Sequence, residues 1–103
     1  MVRQWGFDAI AIRPRNPVVD GHVLVIPAAH VADVGMNPDV SAIAMAAAAE
    51  LAAQHTDCNV ITSRGRYATQ TIAHVHLHVV PRAAGDGLPL PWTPQQNAAA
   101  GDA

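Results

Sequence analysis

Residues 74–80 read His-Val-His-Leu-His-Val-Val, three imidazoles in strict alternation with aliphatic side chains. That period belongs to an extended strand, whose successive side chains point to opposite faces. As a strand ended by Pro81, the segment sets His74, His76 and His78 on one face and Val75, Leu77 and Val79 on the other. Neighbours on one face then lie ~7 Å apart along the chain, close enough for one substrate to touch more than one ring. Three readings suit such a row. The plainest is a solvated sheet face. A second is zinc binding by two histidines at i and i+2, with His22 as a third ligand. The third is nucleophilic catalysis, and it is preferred because it needs several imidazoles in one cluster. A neutral imidazole attacks phosphorus while its other ring nitrogen donates to a fixed acceptor, and flanking imidazoles donate to phosphate oxygens as charge shifts.

Working outward, Ser63 to Thr69 (SRGRYAT) is a polar loop with Gly65 at a sharp bend, and Cys58 to Thr62 (CNVIT) before it reads as a strand. Asn37-Pro38 starts a helix, since Asn caps free N–H groups and Pro suits the first helical position. The helix is expected from about Pro38 to His55, with Val40, Ile43, Ala44, Ala47 and Leu51 facing the core. A short helical turn near His30 to Val34 is only weakly signalled. Asp8 to Ile12 (DAIAI) and His22 to Ile26 (HVLVI) read as two strands of a hairpin, with turn chemistry at Asn16-Pro17 and Asp20-Gly21 between them. The order strand, strand, helix, strand, strand predicts an α+β domain with a largely antiparallel sheet. Trp5 reads as a packing residue over the sheet, Cys58 as a buried strand residue, His30 and His55 as surface residues, and Gly85-Asp86-Gly87 as a turn.

Composition narrows the partners. One domain is expected from 103 residues, placed at 1–92 with a flexible tail at 93–103. Half the chain is hydrophobic, but much of that is alanine and only 4 % is aromatic, so the core is modest and a second copy would add burial. The net charge is −2 and no basic block occurs, which argues against a long nucleic acid. Arg64 and Arg66 stand out among the scattered arginines because their loop leads to the histidines. With Cys58 the sole cysteine, neither an internal disulfide nor a cysteine zinc cluster can form. The opening MVRQWG lacks a secretory apolar run, and the Ala-rich stretch 42–53 is too short for a membrane span, so a cytoplasmic protein is expected.

The segment His74–Val80 resembles the defining H-φ-H-φ-H-φ-φ motif of the histidine-triad (HIT) family. Upstream, Asn16-Pro17-Val18-Val19-Asp20-Gly21-His22-Val23-Leu24-Val25-Ile26-Pro27 is similar to that family's second signature, and Gln70-Thr71 also fits its pattern. The resemblance covers roughly Ala9 to Pro81 and implies a HIT-like fold, with four to five strands and one main helix. It implies a nucleotide hydrolase acting at the α-phosphate of a nucleoside phosphoramidate or dinucleoside polyphosphate. The catalytic set would be His76 as nucleophile, His74 orienting it through its carbonyl, His78 on phosphate oxygens, and His22 buttressing the triad. Substrate contacts would come from Gln70, Thr71 and Ser63, and from Trp92 near a partner subunit's site. The resemblance also implies a homodimer, no metal and no cofactor. The alternatives are a catalytically weak nucleotide-binding module or a nucleotidyltransferase.

Three departures bear on specificity. The chain opens at what resembles the family's second strand. Pro14 stands where the family often has an acidic residue that binds the ribose hydroxyls, and Ser63 stands where asparagine is usual.

Overall fold

In the computed structural model, residues 1–92 are described, so the expected tail at 93–103 lies outside the described residues. The elements are β1 (Arg3–Trp5), β2 (Ala9–Ile12), β3 (Val23–Pro27), α1 (Pro38–Ala52), β4 (Cys58–Ile61), a 3-10 turn (Arg66–Ala68) and β5 (Leu77–Pro81). The five strands form one antiparallel sheet in the order β1-β2-β3-β5-β4, and α1 packs on one face of it. This is an α+β fold.

Alternation in the strands divides the sheet. Ala9 and Ala11 of β2, Val25 of β3, and Leu77 and Val79 of β5 are buried against α1 together with Val75. The opposite face carries Ile10, Ile12, Leu24 and Ile26, all half-buried, with His78 directly across from Leu24. Residues 13–22 connect β2 to β3. Near their end, Gly21 sits at φ 88°, where a Cβ would approach Pro81 Cγ to 3.1 Å. Only glycine lets the chain turn this close to β5, and the turn delivers His22 beside His78.

The Asn37 side chain caps α1 by accepting from Asp39 N at 3.1 Å and from Val40 N at 3.4 Å, with Pro38 in the first turn. Its buried stripe is Val40, Ala44, Ala47, Ala48 and Leu51. Ile43, expected in the core, is 42 % exposed. It lies ~80° around the helix from the centre of that stripe, on the flank of a contact that small alanines make close. The helix also ends three residues early. Gln54 N and His55 N donate to Leu51 O and Ala52 O, so the last turn tightens to i→i−3 bonding.

Two further differences from the sequence reading matter. Strand β1 was not expected from MVRQWG, which holds few strand formers. It forms because Gly6 turns with φ 53° and Trp5 packs on the core, its indole N–H donating to Glu50 on α1. The third strand of the hydrophobic core, β5, begins at Leu77 and not at His74. Residues 71–76 leave the sheet because their backbone bonds elsewhere: Val75 N donates to Val31 O at 2.8 Å, and Thr62 Oγ1 donates to His76 O at 2.8 Å. Inward and outward faces still alternate from His74 to Val79. The stretch 30–34 is bent rather than helical.

Because Ala44 is fully buried where α1 meets the sheet, Ala44→Leu should destabilise the fold by about 1–3 kcal/mol through overpacking. Urea denaturation of the two proteins measures it, and an unchanged midpoint would mean the interface has room to spare.

Candidate active site

The histidines are organised by hydrogen bonds whose direction can be worked out. His76 Nδ1 lies 2.8 Å from the carbonyl oxygen of His74. A carbonyl only accepts, so Nδ1 carries the proton and Nε2 of neutral His76 keeps its lone pair. The peptide between His74 and Val75 is what supplies that carbonyl. Its N–H is already held by Val31 O, and the rigid trans peptide plane then aims the C=O the opposite way, at the His76 ring.

A second chain runs through His22. Val18 N donates to His22 Nδ1 at 3.1 Å, so that nitrogen is unprotonated and the neutral ring carries its proton on Nε2. His22 Nε2 stands 2.9 Å from His78 Nδ1 and therefore donates to it, which leaves the His78 proton on Nε2. The His76 and His78 rings lie 5.3 Å apart between centroids. One face of the sheet thus presents a lone pair on His76 and an N–H donor on His78.

Burial lowers the pKa of His22, which is only 5 % exposed, from the ordinary 6.5. For His78 burial again contributes most to lowering it, followed by the charges of His22 and His76. Both rings are therefore neutral at pH 7, as the directional chain requires.

Around the histidines the remaining expected residues fall into distinct places. Ser63 and Thr69 line a cleft of about 290 Å³ with His22, His78 and residues of the Leu88–Leu90 segment. Gln70 does not reach into it with a free amide: Oε1 accepts from Gly65 N at 2.9 Å, and Nε2 donates to Ala32 O and Ile72 O. Its amide shapes the loop. Thr71 is exposed on the approach to His74, and Trp92, 49 % exposed, ends the described chain beyond Leu88–Leu90. A larger cavity of about 570 Å³ opens on the other side of His22, toward Arg13, Gln54 and His55, and His74, His76 and His78 do not line it.

The partners of three residues that build this region were not read from the sequence. Arg82 is not a solvated arginine. Its Nε and Nη2 grip Asp86 at 2.8 and 3.0 Å, and it also reaches Asn59 and the Leu88 carbonyl. Asp86 in turn accepts from Ala83 N and Leu88 N, and the Arg82 bond does most to hold its carboxyl well below the usual range. The Gly85–Gly87 turn, read correctly from the sequence, is thereby fastened to β5 and folds Leu88–Leu90 over the cleft. Arg64 is paired with Asp33 at 3.1 Å, so its charge ties the 63–69 loop to the 33–35 bend. His30 is exposed, as the sequence reading has it, and its Nδ1 stands 2.9 Å from His74 Nδ1. Apart from Asp86 and Leu88, which lie close to Arg82, these partners are far apart in the sequence, and no local spacing signals them.

Comparisons with known proteins find relatives within one family. The family described as the HIT domain matches residues 7–85. An uncharacterized HIT-like protein of Mycobacterium tuberculosis is 40 % identical over 88 residues, 77 % of this chain and 60 % of its own length. The adenosine 5′-monophosphoramidase of Saccharomyces cerevisiae is 33 % identical over 85 residues, 79 % of this chain and 54 % of its own. Among solved structures, a zinc-bound histidine triad family protein of Mycobacterium smegmatis superposes with TM-score 0.76 at 31 % identity, covering 86 % of this chain and 69 % of that one. The chain thus spans 60 % or less of the length of these two curated relatives. The described residues do not themselves assemble a zinc site: no three His, Cys, Asp or Glu side chains among them are placed to share an ion.

The lowered pKa values of His22 and His78 carry a sign for stability. Below 6.5 the unfolded chain binds more protons than the folded one, so stability falls as pH drops from 6.5 toward the folded values, and is fully recovered above 6.5. Asp86 contributes no slope there, because its loss lies below 3.8. Thermal melts between about pH 8 and pH 5 should show this decline, and His78→Gln should flatten it. A wild-type profile level across that range would refute the neutral-pair assignment.

Proposed function

Because the chain belongs to the HIT domain family, we propose that it is a nucleotide hydrolase acting at the α-phosphate of a nucleoside phosphoramidate or dinucleoside polyphosphate. The observation that carries this reading is the 2.8 Å bond from His76 Nδ1 to the His74 carbonyl, which leaves Nε2 free as a nucleophile. The activity of the yeast relative, a phosphoramidase by its description, supports the same substrate class.

In this mechanism His76 Nε2 attacks the α-phosphorus. An N–P bond forms and the bond to the leaving group breaks: a phosphate leaving group departs as its anion with the electron pair, and an amine takes up a proton from solvent as it departs. The ring becomes cationic, and its Nδ1–H bond to the His74 carbonyl strengthens as it does so. His78 Nε2–H donates to a non-bridging oxygen while charge shifts there, oriented by the His22 donor behind it. Water then attacks phosphorus, the N–P bond breaks with its electron pair returning to His76 Nε2, the water's proton passes to solvent, and the nucleoside monophosphate leaves. The leaving group occupies the cleft bounded by Ser63, Thr69 and Leu88. The nucleoside lies on the half-buried apolar face of Ile10, Ile12, Leu24 and Ile26, which adjoins His78. Pro14 offers no side-chain acceptor to the ribose hydroxyls, so the base contributes most of the recognition.

The same reading includes a homodimer. It is supported by the outer edge of β4, unpaired among the described residues, and by Ile43 and Met45, exposed by 42 % and 47 % on α1.

The test is release of nucleoside monophosphate from adenosine and guanosine phosphoramidates and dinucleoside polyphosphates, with and without EDTA. Release should persist in EDTA and fall by more than roughly a thousandfold in His76→Asn. Transfer of the nucleotide to added phosphate in preference to water would make the protein a transferase. Nucleotide binding with no release from any compound would leave a binding module and sink the hydrolase.

A further inference from the structure

We propose that His30 is a positioning residue for the His76 nucleophile, acting through His74; the proposal rests on the catalytic reading above. The carbonyl of His74 is the group that fixes the His76 tautomer, and it lies outside the sheet, where no ladder holds it. What holds it instead is the 27–31 loop. His74 Nε2 lies 3.1 Å from the Pro27 carbonyl, so Nε2 carries the proton and Nδ1 of neutral His74 is an acceptor. His30 Nδ1, 2.9 Å from that nitrogen, must then be the donor. The two rings meet edge to face, with centroids 4.5 Å apart.

The backbone of the next residue is bound to the same loop, Val75 N donating to Val31 O. The His74–Val75 peptide is therefore bracketed on both sides, by the His30 ring through the His74 ring and by the Val31 carbonyl through the Val75 N–H. With its plane so fixed, the carbonyl points at His76 Nδ1. Removing the His30 donor leaves His74 Nδ1 to solvent and frees the ring to turn away from Pro27. The 74–75 peptide then keeps one tether of the three that loop supplies. His30 touches neither His76 nor the substrate in this scheme. Its effect is on the fraction of His76 that holds the Nδ1–H tautomer, and hence on the rate and not on binding.

Two substitutions separate this from a packing role. His30→Phe keeps the ring and deletes the donor, and His30→Asn restores an N–H near the place of Nδ1. For release from an adenosine phosphoramidate, kcat should fall roughly 10- to 100-fold in His30→Phe with KM little changed, and His30→Asn should recover most of it. Ring-nitrogen NMR of wild type should show His74 as the Nε2–H and His76 as the Nδ1–H tautomer, with His76 becoming a mixture in His30→Phe.

Wild-type kcat and an unmixed His76 tautomer in His30→Phe would overturn the proposal, as would His30→Asn behaving no better than Phe. Stoichiometric zinc in the purified wild type that is lost in His30→Phe would overturn it too, making the histidine a ligand. If wild type hydrolyses nothing, the function has failed and the NMR comparison still decides the role of His30.

Discussion

One hydrogen bond organises this molecule: the bond from His76 Nδ1–H to the carbonyl of His74. It requires a backbone oxygen that no neighbouring strand has claimed. In the middle of an antiparallel ladder every carbonyl is paired or faces along the sheet, so a triad lying wholly within a strand would have none to give its own side chain. The chain meets the requirement by starting β5 at Leu77. The two residues that need backbone freedom, His74 and His76, precede the ladder, while His78, which needs only a fixed position, lies within it. Thr62 and Val31 then take over the hydrogen bonding that the sheet gives up.

The second organising feature is direction. A backbone N–H, from Val18, begins a chain that passes through His22 to His78 and ends in a donor facing outward. A neutral imidazole has one donor and one acceptor, so fixing the first link fixes every link after it. Burial keeps both rings neutral, and a proton added to His22 would oppose the Val18 N–H. The loop from residue 13 to 22 thus sets the proton positions of His22 and His78 through one backbone N–H.

Much of this was legible in the sequence for a physical reason. Side-chain alternation is a local property, so the pattern 74–79, the strands β2, β3 and β4 and the Asn37–Pro38 helix start could all be read from neighbours in the chain. The pattern of His74, His76 and His78 and the Gly-His signature also located His22. What could not be read depends on partners far away in sequence. Whether Gln70 faces a ligand or the loop depends on Ala32, whether Arg82 is solvated depends on Asn59 as well as the nearby Asp86, and His30 has meaning only through His74. The start of β5 was misplaced for the same cause, since alternation persists after the ladder ends. Strand β1 was too short and too polar to register before the Trp5–Glu50 contact is known.

The apolar face formed by Ile10, Ile12, Leu24 and Ile26 has a consequence for how such a protein changes over time. None of the four takes part in the hydrogen bonds that fix the histidine tautomers, and their neighbours across the sheet plane are the alanines and valines of the core. In the proposed function, recognition and reaction are therefore written in separate sets of side chains on one sheet. Substitutions among the four can drift toward a different base or a bulkier ligand while the nucleophile keeps its lone pair, so new specificities are reachable by single steps that leave the chemistry inherited.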